Sequence, residues 1–284
     1  VDTIPLLLDT DAGSDIDDAV ALAYLLRQPR CELLGITTVT GEVEKRAAIC
    51  EIVCRAAGRD DVPIHLGRRD PLLDGPGQPR VPHYESVREL SHRLDRSENA
   101  AVGFLRDQIH ARPGEITLLT IGPYSNVALL FALDPELPSL LKGIVSMGGV
   151  FFDDGRREWN ALVDPIATQM VYRASRKDHL TVGLDATETC RLAQKEVEGR
   201  FVGEPLATVH RMAARWFEGT DRITFHDPLA AALIFEPDLV STEKGRIEVD
   251  GEGRTVLREG EGPDRVARTV DSDGFFEHFF RVCA

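Results

Sequence analysis

The segment LLLDTDAGSDIDDAVAL, Leu6 to Leu22, decides how the rest of the chain is read. Its leucines belong to an apolar run of strand length, residues 4–8. Gly13 then lets the backbone bend sharply. From Asp17 apolar residues return at helical spacing as far as Arg27. A strand apolar on both faces, followed at once by a helix, opens a parallel sheet covered on both sides. The turn between them carries Asp9, Asp11, Asp15, Asp17 and Asp18, with no Lys or Arg among them. Some acid at a helix N-terminus follows from the helix dipole, and Ser14 or Asp15 can cap the helix. That accounts for one or two aspartates and not for five. Clustered carboxylates suit a hard divalent cation, Ca²⁺ or Mg²⁺, bound through oxygen.

The pattern continues outward. Short apolar runs predict strands at residues 32–39, 62–66, 116–121, 143–147 and 180–184. Helical patterns fall at 44–57, 126–133 and 165–175. This alternation predicts an α/β fold with a doubly wound, mainly parallel Rossmann-like sheet and helices on both faces. RIEVDGEGRTVLRE, residues 246–259, alternates about a Gly-rich turn and predicts a small C-terminal β-hairpin. No repeat or linker divides the chain, so one domain over 1–284 is expected. Ligands of such sheets sit outside the carboxyl ends of the strands. Polar clusters at 9–18, 40–42, 122–126 and 148–160 all fall at those ends. RRDPLLDGPGQPRVPH, residues 68–83, is rich in Pro, Gly and Arg and reads as a loop, either a lid or a surface excursion.

Bulk properties exclude several classes. The 284 residues carry a net charge of −14, which disfavours nucleic acid and anionic membrane as partners. No apolar run approaches a membrane span. The first residues lack the basic region of a signal peptide. The cysteines, Cys31, Cys50, Cys54, Cys190 and Cys283, are odd in number and form no CxxC pair. Zinc would need more Cys or His at short spacing. A reducing, cytoplasmic protein with free thiols is expected. An EF-hand is excluded, because the loop has neither its twelfth-position Glu nor a preceding helix. A haloacid-dehalogenase type of phosphotransferase also begins with a strand and D-x-D, but it lacks this glycine and places its second acidic pair far downstream.

Asp9-Thr10-Asp11, then Gly13, then Asp17-Asp18-Ala19 resembles the signature of the inosine–uridine nucleoside hydrolase family, D-T-D-P-G-x-D-D-A, in a longer variant that includes Asp15. Further pieces agree in order along nearly the whole chain. Residues 35–39 (GITTV) are similar to the family's second strand, and residues 121–126 (IGPYSN) to its GPLTN loop. Met147-Gly-Gly149, then Glu158-Trp159-Asn160 and Asp164-Pro165, resemble its MGG, EFN and DP segment. His226-Asp227-Pro228 resembles its HDP.

The resemblance implies calcium-dependent hydrolysis of the N-glycosidic bond of ribonucleosides, in salvage, by a homodimer or homotetramer. It implies Asp11 as general base and metal ligand, with Asp18, Asp227 and the carbonyl of Ile121 completing the ligands. Asp17, Glu158 and Asn160 would hold the ribose, with the ligand Asp227 also touching one of its hydroxyls, Trp159 would wall the pocket, and His226 would protonate or orient the leaving base. Departures from the pattern leave the substrate open. Glu42 stands where the family has Asn and is a candidate for the metal or a hydroxyl. Asp153 or Asp154 could replace an Asn of a loop that is shorter here. Phe225, Trp216 and Arg222 could shape the base pocket, with Arg69 and Arg80 in the lid. Asn126 and Asp164 read as helix caps. His65 and His83 have no partner that the sequence names. A non-catalytic ribose-binding relative, an enzyme for a specialised nucleoside and a Mg²⁺ phosphatase are the alternatives.

Overall fold

The computed structural model describes residues 3–152, 155–174 and 176–284. In chain order the elements are β1 (Ile4–Thr10), α1 (Asp17–Arg27), β2 (Cys31–Thr38), α2 (Val43–Ala56), β3 (Ile64–Leu66), α3 (Ala101–Ala111), β4 (Thr117–Thr120), α4 (Ser125–Leu133), α5 (Leu137–Leu140) and β5 (Gly143–Met147). They continue with α6 (Trp159–Val163), α7 (Pro165–Arg173), β6 (His179–Val182), α8 (Leu184–Thr187), β7 (Arg191–Ala193), α9 (Gln194–Arg200), α10 (Leu206–Trp216), β8 (Arg222–Thr224) and α11 (His226–Leu233). The last are β9 (Val240–Val249), β10 (Thr255–Glu259), β11 (Asp264–Val270) and α12 (Ser272–Cys283).

Across the main sheet the order is β10-β9-β11-β6-β5-β4-β1-β2-β3. From β3 to β6, and on to β11, every neighbouring pair is parallel. This is the expected doubly wound α/β fold. The winding reverses between β1 and β4, so their following loops diverge and leave a crevice at their carboxyl ends. The expected hairpin is β9–β10, with Thr255 opposite Val249. It does not stand apart, because β11 pairs antiparallel with β9 and joins it to the edge of the main sheet.

Strand alternation sorts the core. Leu6 and Leu8 of β1 face a cluster with α1, α11 and α12, whereas Leu7 faces one with α3, α4 and α7. All three are fully buried, each contributing about 1.5–3 kcal/mol by leaving water. Phe225 is fully buried too, with its ring 5.4 Å from Phe279 and 5.1 Å from Phe276. It belongs to this core and not to a base pocket. Its anchoring sets where α11 begins and so where His226 and Asp227 point. Neither Ser14 nor Asp15 caps α1, whose N-cap position is Ile16. The Asp15 carboxylate accepts from Ile16 N at 2.6 Å, and the Ser14 hydroxyl donates to the carbonyl of Arg80 at 3.1 Å.

Candidate active site

The aspartate loop separates its acids by function. Asp9 is the end of a strand and points into the interior, where its carboxylate accepts from Thr37 Oγ1 at 2.5 Å and Asn126 Nδ2 at 2.7 Å. It does not line the crevice. Asp11, Asp15, Asp17 and Asp18 do, from the turn and the first turn of α1. Asp227, in the first turn of α11, meets them: its backbone N–H donates to Asp17 Oδ2 at 3.0 Å. Thr10 Oγ1 donates to Asp18 Oδ1 at 2.5 Å. Asp17, Asp18 and Asp227 are buried and can each place one oxygen within 4.8 Å of the others. Asp11 lines the same cavity outside that group of three.

Among the described residues one buried cation approaches this cluster, and it comes from α2. Arg46 is fully buried. Its guanidinium donates to the carbonyl of Asp11, to Ser14 Oγ at 2.9 Å, to Thr40 O at 2.6 Å and to Gln78 O at 2.7 Å. Burial lowers its pKa, but an arginine starts so high that it stays charged. Burial raises the aspartates: Asp11 to about 6 despite Arg46, and Asp17, Asp18 and Asp227 well above the usual range, with mutual repulsion adding to the effect. One guanidinium does not balance this cluster. An all-oxygen, carboxylate-rich set open to a cavity fits a hard divalent cation.

The cavity is about 260 Å³, and of the residues expected to hold the metal or the ribose, or to act on the base, it takes in Asp11, Asp17, Asp18, Ile121, Glu158, Trp159, Asn160, His226 and Asp227 but not Glu42. Ile121 presents its carbonyl, held by Asn160 Nδ2 at 2.9 Å. A carbonyl has a second lone pair for another partner. Glu158 is buried and caps α6, accepting from Asn160 N at 2.7 Å and from Gly149 N and Ala161 N at 3.0 Å each. Trp159 is 45% exposed and forms part of the wall. His226 approaches Thr187 Oγ1 through Nδ1 at 2.7 Å. Burial lowers its pKa to about 4, so the imidazole is neutral at pH 7.

The exception is Glu42. It lies at the N-cap of α2, and its carboxylate pairs with Lys45 Nζ at 2.5 Å, away from the cavity lining. The i,i+3 partner on the outer helix face takes it. Asn126 is no cap either. It ties three segments, donating to Asp9 and to Thr38 O and accepting from Arg68 N at 2.8 Å. Asp164 does cap, accepting from Ala167 N at 3.0 Å. Arg222 is exposed and pairs with Asp221, and Arg69 pairs with Glu44 at 2.6 Å. Asp153 and Asp154 lie outside the described residues.

Sequence reading missed Arg46, Gln78, Arg157, Met147 and Leu184, of which all but Arg46 line the cavity. It also missed an adjoining cavity of about 450 Å³, sharing Ser14 and lined by Pro82, His83, Arg215, Trp216 and Glu218. His83 is 2% exposed, and its Nδ1 has no hydrogen-bond partner among the described residues. Its only sequence cue was its place at the end of the Pro-rich loop.

The family model described as inosine-uridine preferring nucleoside hydrolase matches residues 6–277. Uridine nucleosidase 1 of Arabidopsis thaliana is 31% identical to this chain, over 96% of this chain and 91% of that protein. The solved plant nucleoside hydrolase PpNRh1 superposes with a TM-score of 0.84 at 25% identity, covering 99% of this chain and 98% of its own. A purine-preferring ribonucleoside hydrolase from Gardnerella vaginalis shares the fold, with a TM-score of 0.85 at 24% identity and 98% of both chains covered. Among the described residues no helix is long and apolar enough to cross a membrane.

Proposed function

This chain belongs to the inosine-uridine preferring nucleoside hydrolase family, and from that premise we propose that it is a calcium-dependent ribonucleoside N-ribohydrolase using Asp11 as general base. The observation that carries the reading is the unbalanced cluster of buried aspartates on the wall of a nucleoside-sized crevice. Asp11, Asp18, Asp227 and the carbonyl of Ile121 would hold the ion. When bound, calcium supplies a water of lowered pKa and a grip on the ribose diol.

The chain's own groups do the rest. Asp11 accepts the water's proton as its oxygen attacks C1′. The C1′–N bond breaks with its electron pair passing to the base. The acid-lined floor stabilises the positive charge that develops on the sugar ring. Asp17, Asn160 and Glu158 orient the ribose hydroxyls, and Trp159 covers the ring. His226 is neutral, so its part is to orient the leaving base: when Nδ1 accepts from the Thr187 hydroxyl, Nε2 carries the N–H and hydrogen-bonds the base, whose proton then comes from solvent. The adjoining cavity with Trp216 and His83 gives the base room. Free cysteines fit the cytoplasm, and a homodimer or homotetramer is the assembly to test by light scattering.

The test is a panel of inosine, adenosine, guanosine, uridine, cytidine and their 2′-deoxy forms, with free base measured by chromatography. Base release should be lost with a calcium chelator and should fall roughly 10³-fold in Asp11→Ala. Release that survives both would remove the metal-and-Asp11 mechanism. No release from any nucleoside, with calcium bound, would favour a non-catalytic or specialised relative.

A further inference from the structure

Arg46 is buried in the middle of the machinery and does not itself line the cavity, although it bonds residues that do. An arginine with no exposed surface costs desolvation unless its donors are used. Here they are used on three separate chain segments. Nη1 reaches the aspartate loop at the Asp11 carbonyl, the Ala12 carbonyl (3.3 Å) and Ser14 Oγ. Nε reaches Thr40 O in the turn between β2 and α2. Nη2 reaches Gln78 O in the Pro-rich loop, and Gln78 is one of the residues that line the cavity.

Other contacts close the same joint. Gln78 N donates to Thr40 Oγ1 at 3.0 Å, and the Ser14 hydroxyl that accepts from Arg46 donates to Arg80 O. Thr40 N and Gly41 N donate to the carbonyls of Arg68 and Arg69 at 2.6 and 2.7 Å. The loop sits so close to Gly41 that a Cβ there would lie 2.3 Å from Gln78 O, and Gly41 has φ +64°. A threonine at φ +64° precedes it. Both ends of the loop are therefore tied to one turn, and the turn is tied to Asp11 through a single guanidinium.

We propose that Arg46 is a positioning residue that locks the Pro-rich loop, through Gln78, onto the aspartate loop, so that the rim of the cavity is in place before the nucleoside arrives. A lysine would keep the charge, but its three donors radiate from one nitrogen and do not span the acceptors that Nε, Nη1 and Nη2 reach separately. The inference rests on the nucleoside hydrolase reading for its kinetic consequence. Its structural consequence stands apart from activity.

The experiment uses the full chain, calcium-loaded and chelated, as parent, Arg46→Lys and Gly41→Ala. Gly41→Ala pushes the loop outward without touching Arg46. Limited trypsin digestion reads the loop, which offers cleavage after Arg68, Arg69 and Arg80. Both variants should be cut there at least tenfold faster than the parent. Their KM for the preferred nucleoside should rise about tenfold, with a smaller change in kcat, as expected for lost positioning of bound substrate. Calcium affinity by titration calorimetry should stay within threefold in Arg46→Lys. A merely structural role would lower the active fraction and the melting point and leave KM alone, and that result overturns the proposal. So does a parent-like tryptic pattern in Arg46→Lys. If a variant fails to fold, hydrogen exchange on the parent decides. The Thr40, Gly41 and Gln78 amides should be protected like β1, and exchange within seconds overturns the lock. Altered digestion without any nucleoside turnover would retain the lock and discard the proposed function.

Discussion

Two buried charge clusters sit on the same parallel sheet, and they are built on opposite plans. One lies among β5, β6, β11 and the end of α7. There Arg176 pairs with Asp264, whose other oxygen accepts from Ile247 N at 2.7 Å. Arg176 also donates to the carbonyls of Tyr172 and Ala174 at 2.9 and 2.8 Å. Beside them His179 approaches Ser146 Oγ at 2.6 Å and stacks on Tyr172 at 4.9 Å. One cation faces one anion, and Ser146, His179 and Asp264 are all fully buried. Serine, histidine and aspartate occur together here, yet no substrate can reach them. The other cluster, at the ends of β1 and α1, sets five aspartates of the crevice against, among the described residues, one buried guanidinium, and opens onto a cavity. The difference teaches that residue type does not mark a site. Uncompensated charge with access does.

The largest expected effects separate the two plans by kind. Asp264→Asn leaves Arg176 buried without its counter-ion and should cost about 3–5 kcal/mol of stability. Turnover per folded molecule should be unchanged. Asp227→Ala should do the reverse, cutting kcat/KM roughly 10³-fold with the melting temperature of the chelated protein kept or raised. Urea unfolding and kinetics on the same samples check both. A loss of turnover in folded Asp264→Asn, or a strong destabilisation by Asp227→Ala without metal, would merge the two clusters into one.

Sequence patterning revealed the open cluster and missed the closed one for a physical reason. Asp11, Asp15, Asp17 and Asp18 lie close together along one turn and the start of α1, and Asp227 comes with His226 and Pro228 as a short motif. Arg176, His179 and Asp264 meet only because β6 and β11 are neighbours across the sheet. The strand-and-helix alternation was legible because Leu6 to Leu8 are buried on both faces. Arg46 left a fainter mark: it shares a helix face with Val43 and Cys50, where a solvated arginine has no place. Asn126 was misread because a polar residue near the start of a helix is usually a cap. Here the strand beside it needed the amide more. Glu42 was drawn toward the metal or a hydroxyl because it stands where the family has Asn, but its i,i+3 lysine holds it outside.

A second, smaller effect concerns the histidines. Burial holds His83, beside the open cluster, at a pKa of about 4. Between pH 6.5 and 4 the unfolded chain binds a proton that the folded chain refuses, so stability contributed by neutral His83 is intact above pH 6.5 and lost as pH falls toward 4. His83→Asn should remove this loss. The gap between parent and variant should grow by about 3 kcal/mol across that window. The calcium-loaded protein is the one to use, with chemical unfolding at each pH. His179 is also lowered by burial, but inside the closed cluster, so His83→Asn should leave a residual acid loss from it. A parallel pair of pH profiles would show that His83 is solvated in the folded protein.

The smallest expected effect is the most diagnostic, because the two clusters should answer the same chemical change with opposite sign. Asp17→Asn replaces a carboxylate by an amide of the same shape, as Asp264→Asn does. In the closed cluster that change strands a cation. In the open one it relieves repulsion, since Asp15 and Asp18 both raise the Asp17 pKa and no cation is prominent beside it. Calcium-free Asp17→Asn should therefore be more stable than the parent by about 1 kcal/mol, a single like-charge contact near a partly solvated crevice. With calcium added the advantage should shrink, because the parent's repulsion is then offset by the ion. If Asp17 serves the ribose and not the ion, calcium affinity should change little while KM rises. If affinity falls as steeply as in Asp227→Ala, Asp17 joins Asp18 and Asp227 as a ligand, the grouping in which their oxygens approach one another.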